Sequence, residues 1–210
     1  MIERALTKIV FSETWGRQMR FITGPRQSGK TTVAQAQLAQ RGTPNLYYLW
    51  DRRSVRERYR ANELFFTEDS PLGKEPQWVC FDEIHKYPKW KNVLKAIFDS
   101  SQEHYRFIVT GSAKFDLFKK AGDSLSGRYF TFHLLPLTVA EAAGRPAMAP
   151  VPPSAEEFIR QLLDRPPAPS EVVSHLLTFS GFPEPFLHQS DLFYKKWSDD
   201  YMDTVIKDDI

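Results

Sequence analysis

Eight consecutive residues, Gly24-Pro-Arg-Gln-Ser-Gly-Lys30-Thr31, constrain this chain more than any other feature it carries. They fit the pattern G-x-x-x-x-G-K-[ST] at every specified position. The spacing has a chemical reason. Glycines at 24 and 29 let the backbone wrap closely around a phosphate, and successive N–H groups then point inward as an anion nest. A helix after the loop adds the positive end of its dipole. Lys30 is expected to reach the outer phosphates of a nucleoside triphosphate and Thr31 to offer a hydroxyl to Mg²⁺. The intervening Pro25, Arg26, Gln27 and Ser28, with Thr32 after the motif, complete the expected cradle. The flanks agree: Met-Arg-Phe-Ile-Thr before the loop has the texture of a strand. TTVAQAQLAQR after it has that of a helix, closed by Gly42.

A phosphate loop between a strand and a helix predicts a parallel sheet, and the chain supplies further strand-length apolar runs at Leu46–Trp50, Trp78–Phe81, Phe107–Thr110 and Tyr129–Leu135. Helical segments separate them. The clearest has Trp90, Val93, Leu94, Ile97 and Phe98 at i, i+3, i+4, i+7 and i+8. The fold class expected is an α/β sandwich with a mostly parallel five-stranded sheet. Trp78-Val-Cys-Phe-Asp82-Glu83 ends its strand in two carboxylates, an arrangement in which Asp82 serves a magnesium site and Glu83 polarises an attacking water. Phe107-Ile-Val-Thr110-Gly-Ser112 ends in hydroxyls. Ser112, one step past the strand, is preferred over Thr110 as a group that senses the γ-phosphate, although a serine there also suits a helix cap. Arg128, just before the strand Tyr129–Leu135, is placed to neutralise γ-phosphate charge in its own subunit or a neighbour's, and equally fits an ordinary surface arginine.

The texture changes near residue 145. Nine of the fifteen prolines fall between Pro146 and Pro185, where they end helices and exclude central strands. Short amphipathic helices are expected around Phe158–Leu163 and Val172–Leu177. A last one carries Phe193, Trp197, Tyr201 and Val205 on one face. Residues 1–145 thus form the nucleotide domain, and 146–210 a helical appendage in which Gly181-Phe-Pro-Glu-Pro signals a turn. With 41% hydrophobic residues and a net charge of +2, the chain has material for a core and no charge bias that demands nucleic acid. Arg52, Arg53, Arg56, Arg58 and Arg60 beside aromatics suit contact with a nucleic-acid backbone. Their interleaving with Asp51, Glu57 and Glu63 also describes a solvated helix face. The single cysteine, Cys80, excludes an internal disulfide. The first residues contain acids and no long apolar stretch, and no apolar run approaches the roughly 18 residues a membrane span needs. The expectation is a cytoplasmic protein.

GPRQSGKTT, WVCFDEIHKYPKW, VTGSA, SLSGRYFTFHLLPLTVAE and SGFPEPF occur in that order. Together they resemble the bacterial and archaeal AAA-type ATPases that fuse an N-terminal ATPase domain to a C-terminal domain of unknown function. The resemblance implies an AAA-like sheet with the Thr110 strand between the P-loop strand and the Asp82 strand. It implies ATP as the nucleotide with Mg²⁺, Lys30 and Thr31 as Walker A residues, and Asp82 and Glu83 as the Walker B pair. Ser112 falls at the first sensor position and Arg128 at the arginine-finger position, which implies a homo-oligomer when active. His85 departs from the glutamine expected there. WSDDYMDTVIKDDI resembles the opening of the relatives' C-terminal domain, so a continuation past Ile210 is expected. The competing expectation is a nucleotide-gated binding module, DNA-associated in one version, with little hydrolysis of its own.

Overall fold

The computed structural model describes residues 2–70, 75–111, 125–145, 154–164 and 166–208. Five strands carry its organisation: β1 (Met19–Thr23), β2 (Tyr47–Leu49), β3 (Gln77–Asp82), β4 (Tyr105–Thr110) and β5 (Tyr129–His133). They form one sheet in the order β2-β3-β4-β1-β5. Every pairing in it is parallel. The sheet is therefore more uniform than the mostly parallel one expected, and β4 does lie between β1 and β3.

Period-two alternation sorts each strand into two faces. Met19 and Phe21, Tyr48, Val79 and Phe81, and Tyr105, Phe107 and Val109 all belong to one buried cluster. Helix α1 (Ala5–Val10) precedes β1, α2 (Lys30–Gln40) follows it, and α3 (Arg53–Ala61) follows β2. Helix α4 (Trp90–Ser101) buries Trp90, Val93, Leu94, Ile97 and Phe98, the stripe that its spacing predicts. All five join the same cluster, with Phe65 and Phe66 from a short 3-10 turn. Removing each such side chain from water contributes about 1.5–3 kcal/mol. Phe66 meets Phe81, Tyr105 and Phe107 edge-on, an aromatic geometry that adds direction to burial.

The opposite face carries Arg20, Cys80, Ile108, Asp82 and Thr110, and α2 packs toward β3 and β4. Arg20 is fully buried there. Its guanidinium donates to the carbonyls of Val10, Ser12, Gly16 and Gln18 and lies 5.4 Å from the Trp78 ring centre. Burial pushes its pKa down to about 10. Carbonyls take four of the five donors of its fork, which makes arginine tolerable in such a place.

The chain divides into two compact units, Lys8–Leu135 and a second made of Met1–Thr7 with Pro136–Ile210. The second unit contains α5 (Val139–Ala142), α6 (Ala155–Leu163), α7 (Ser170–Phe179), α8 (Pro183–His188) and α9 (Asp191–Asp208). Its opening segment is tied by buried polar contacts. Glu141 accepts from Arg4 Nε at 3.1 Å and from the Ala5 amide at 2.9 Å. It also completes a capping box with Thr138. The turn expected at Gly181–Pro185 is a helix start instead, because Pro183 occupies the first helical position, where its missing N–H costs nothing. Gly181 is required just before it: a Cβ there would approach the Leu137 carbonyl oxygen to 2.9 Å.

Candidate nucleotide-binding site

In a parallel α/β sheet the loops at the carboxyl ends of the strands form the ligand crevice, and β1, β3 and β4 bring the motif residues to that edge. The loop from Gly24 to Gly29 joins β1 to α2. Gly24 has φ 143°, and a Cβ on it would lie 2.2 Å from the Leu134 carbonyl oxygen, so only glycine fits so close to the chain leaving β5. Gly29 (φ 96°) caps α2 in the left-handed region without any side-chain acceptor. Gln27 is also left-handed, at φ 60°. The first amides of α2 are left without a capping side chain, and left-handed residues in the loop are the kind of backbone from which anion nests are built. Ser28 is buried within the loop and Lys30 is 7% exposed. Lys30 Nζ donates to the Gly24 carbonyl at 3.0 Å and the Pro25 carbonyl at 2.6 Å, which holds its ammonium over the loop. Arg26 is half-buried, while Thr31 and Thr32 in the first turn of α2 are exposed.

Asp82, at the end of β3, is 3% exposed and takes its hydrogen bonds from three elements. Thr31 Oγ1 of α2 donates to Oδ2 at 2.8 Å. The Tyr47 hydroxyl of β2 donates to the same Oδ2, and the Thr110 hydroxyl of β4 to Oδ1. Register explains the meeting, since Asp82 pairs with Thr110 across β3–β4 and Tyr47 pairs with Cys80, two residues earlier on the same face. Burial first, and then the hydrogen bond to Asp82, pushes the Tyr47 phenol far above its ordinary value, so it stays a donor. All three partners are neutral hydroxyls. The Asp82 carboxylate and the Thr31 hydroxyl beside it place two hard oxygens together. That donor set fits Mg²⁺, which takes one or two protein oxygens and leaves the rest to water and phosphate. Among the described residues no group of three or more His, Cys, Asp or Glu is assembled to hold a metal by itself.

Glu83 follows in the left-handed region at φ 58°, and its amide donates to the Thr110 carbonyl at 3.2 Å. Its carboxylate lies 3.4 Å from Lys86 Nζ and 3.6 Å from His85 Nε2. Lys86 is shared, with Asp51 closer at 2.6 Å. Partial burial opposes the Lys86 charge, but the Asp51 hydrogen bond and the two carboxylates hold its pKa above the usual value. Burial lowers the pKa of His85 despite Glu83 beside it. The tilt of Lys86 toward Asp51 leaves Glu83 less neutralised than a one-to-one pair would. At the neighbouring strand end, Thr23 Oγ1 and His133 Nδ1 are 2.8 Å apart.

The structure thus gathers Gly24, Pro25, Arg26, Gln27, Ser28, Gly29, Lys30, Thr31, Thr32, Asp82 and Glu83 at one edge. Ser112 lies outside the described residues, and the hydroxyl that meets Asp82 is that of Thr110. Tyr47 was not singled out by the sequence; its only signal was membership of the strand beside β3. Arg128 is not at this edge. Its carbonyl accepts from the Met19 amide at the amino end of β1. The five residues of β5, roughly 16 Å at the strand rise, separate it from the loop. It forms a two-point pair with Asp99, at 2.7 and 3.0 Å. In the arginine-rich stretch, Arg58 grips Asp69 through both amino nitrogens and Arg53 pairs with Glu57 at 2.7 Å, so those two charges have local acidic partners.

Residues 16–143 match the family model described as an AAA domain. Uncharacterized proteins of Mycobacterium bovis and Mycobacterium tuberculosis are each 25% identical over 189 residues, a match covering 90% of this chain and 35% of theirs. The chain therefore spans 35% of the length of these relatives. Among solved structures, C. elegans PCH-2 is similar at 12% identity and a TM-score of 0.42, over 66% of this chain and 41% of that one. A structure concerned with katanin self-assembly is similar at 13% identity and a TM-score of 0.43, over 84% and 58%.

Proposed function

The chain belongs to the AAA domain family, a nucleotide-binding module of the ATPase type, and from that premise we propose that it binds Mg-ATP through the 24–32 loop and hydrolyses it at Glu83. The observation that carries the reading is the 2.8 Å bond from Thr31 to Asp82. It couples the first turn of the phosphate-loop helix to the carboxylate at the end of β3. In the proposed mechanism the loop amides and Lys30 hold the phosphates, with Lys30 exchanging the Gly24 and Pro25 carbonyls for phosphate oxygens. Thr31 and Asp82 would hold Mg²⁺, which would supply charge neutralisation to the phosphate chain. Glu83 orients a water and takes its proton. Thr110 fixes Asp82 from the β4 side, and Ser112 is kept as the γ-phosphate sensor. Arg128, too far from its own loop, is assigned to a neighbouring subunit's nucleotide, so the active form is a homo-oligomer.

Two substitutions test this. Lys30→Ala removes a charge-assisted phosphate contact, and calorimetry is expected to show most ATP affinity lost. Glu83→Gln keeps size and hydrogen bonding but removes the base; turnover is expected to fall about 100-fold or more while Mg-ATP still binds. Wild-type turnover in Glu83→Gln moves the base elsewhere, and wild-type affinity in Lys30→Ala overturns the loop assignment.

A further inference from the structure

The Asp82 carboxylate is not fixed by the phosphate-loop helix alone. Its Oδ2 accepts from two hydroxyls on different elements, Thr31 at 2.8 Å and Tyr47, and its Oδ1 from Thr110. Thr31 gives its proton to Oδ2, so its oxygen lone pairs turn away from the carboxylate, and the direction they take depends on where Oδ2 sits. Thr31 itself is exposed at the start of a helix. Tyr47 is half-buried on a strand next to β3, in register with Cys80. Of the two donors on Oδ2, Tyr47 is the one anchored in the sheet. Conversion of the loop site to its metal-loaded form asks Thr31 to serve two partners. Tyr47 donates to the same oxygen from a strand of the sheet.

We propose that Tyr47 is a positioning residue of the magnesium site, its hydroxyl fixing Asp82 Oδ2 and, through it, the orientation of the Thr31 oxygen. The inference rests on the reading of Asp82 and Thr31 as the metal pair. Partners that orient a ligating group from behind typically change metal affinity by ~10–100-fold when removed. The substitution that removes the hydroxyl and keeps the ring is Tyr47→Phe.

The test measures Mn²⁺ binding to the protein–nucleotide complex by electron paramagnetic resonance, together with nucleotide affinity in excess chelator. Tyr47→Phe is expected to weaken Mn²⁺ about tenfold and to leave metal-free nucleotide affinity within about twofold. p-Aminophenylalanine at position 47, whose ring amine still donates, is expected to recover most of the metal affinity. A merely structural tyrosine moves the thermal midpoint in chelator and both affinities together. Mn²⁺ affinity unchanged in Tyr47→Phe, alongside a clear loss in Asp82→Asn, overturns the role of Tyr47 and leaves the metal pair standing. Unchanged Mn²⁺ affinity in Asp82→Asn overturns the metal pair itself and the inference with it. If Tyr47→Phe does not fold, p-methoxyphenylalanine, which keeps the ring and oxygen without the donor, replaces it: a loss of Mn²⁺ affinity of about tenfold that p-aminophenylalanine does not share supports the donor role, and wild-type affinity overturns it.

Discussion

The sheet unit, 8–135, and the helical unit, 1–7 with 136–210, use the same kinds of apolar residue to very different effect. In the first, Phe65, Phe66, Phe81 and Phe107 are completely buried. In the second, Leu163, Leu177 and Leu192 are each about four-fifths exposed, and among the described residues burial is confined to a few positions such as Leu137, Phe179 and Phe186. The helical unit is held more by directed contacts than by area. Phe182 packs on Trp197 and Tyr201, His188 stacks on Phe193, the Leu137 amide donates to the Gly181 carbonyl at 2.6 Å, and Arg4 meets Glu141. The contrast teaches that apolar content does not measure how strongly a region specifies itself. Parallel strands bury both faces and bring residues distant in sequence into register, whereas an amphipathic helix buries only what its neighbours cover.

All the proposed chemistry sits in the sheet unit, and the largest expected effect tests whether one copy of that unit is sufficient. Arg128→Ala is expected to bind ATP normally and to hydrolyse it about 1,000-fold more slowly. Mixed with Lys30→Ala, which is also inactive, it is expected to regain turnover, because one interface then joins an intact loop to an intact arginine. Full activity of Arg128→Ala alone, or no recovery in demonstrated mixed oligomers, removes the neighbour from the mechanism. The site would then be complete within one sheet unit.

The burial contrast itself is sharpened by a matched pair. Phe81→Ala deletes a ring stacked on Phe107 at 5.8 Å between centres and is expected to destabilise the sheet unit by about 3–5 kcal/mol. Leu177→Ala removes a side chain already 83% exposed and is expected to change stability by less than about 0.5 kcal/mol. Denaturant titration with hydrogen exchange assigns each effect to its unit. A large loss in Leu177→Ala means that this face is covered in solution.

The same contrast governs what was legible in the sequence. Met19–Thr23 and the Trp90–Phe98 stripe could be located because their patterns coincide with burial. The phosphate loop was legible because Gly24 and Gly29 answer to backbone geometry that no other residue satisfies. Thr110 and Tyr47 were not, because they act through register between strands, and no local pattern records which hydroxyl of one strand will face a carboxylate on the next. Arg20 illustrates the reverse limit, since a charge inside an apolar strand looks like an edge residue until its four carbonyl partners are seen. In the helical unit, spacing gave the existence of α6, α7 and α9, but Phe158 and Ile159 lie on a stripe that stays about half exposed. Pro183 looked like a turn residue because a proline that starts a helix and one that makes a bend have the same local signature.

A loss smaller than that of Phe81→Ala distinguishes directed contacts from area in the helical unit. Burial by itself would raise the Glu141 pKa. The Thr138 and Ala5 amides and the Arg4 guanidinium outweigh burial and hold it below the ordinary carboxylate value. A carboxylate whose pKa is depressed by folding contributes stability above its unfolded pKa, and loses that contribution as pH falls through the folded value. Glu141→Gln keeps the shape and a carbonyl acceptor but removes the charge facing Arg4. It is expected to weaken the helical unit by about 2 kcal/mol at neutral pH, the scale of a charge-assisted hydrogen bond. Below the usual glutamate range, near pH 4, the protonated wild-type side chain comes to resemble glutamine. The two proteins should therefore converge in acid and separate only as pH rises. Hydrogen exchange of the α7 and α9 amides across that range reads the difference within the helical unit alone. A gap that stays constant with pH would show that packing around residue 141, not its charge, does the holding, and the helical unit would then be stabilised in the same way as the sheet.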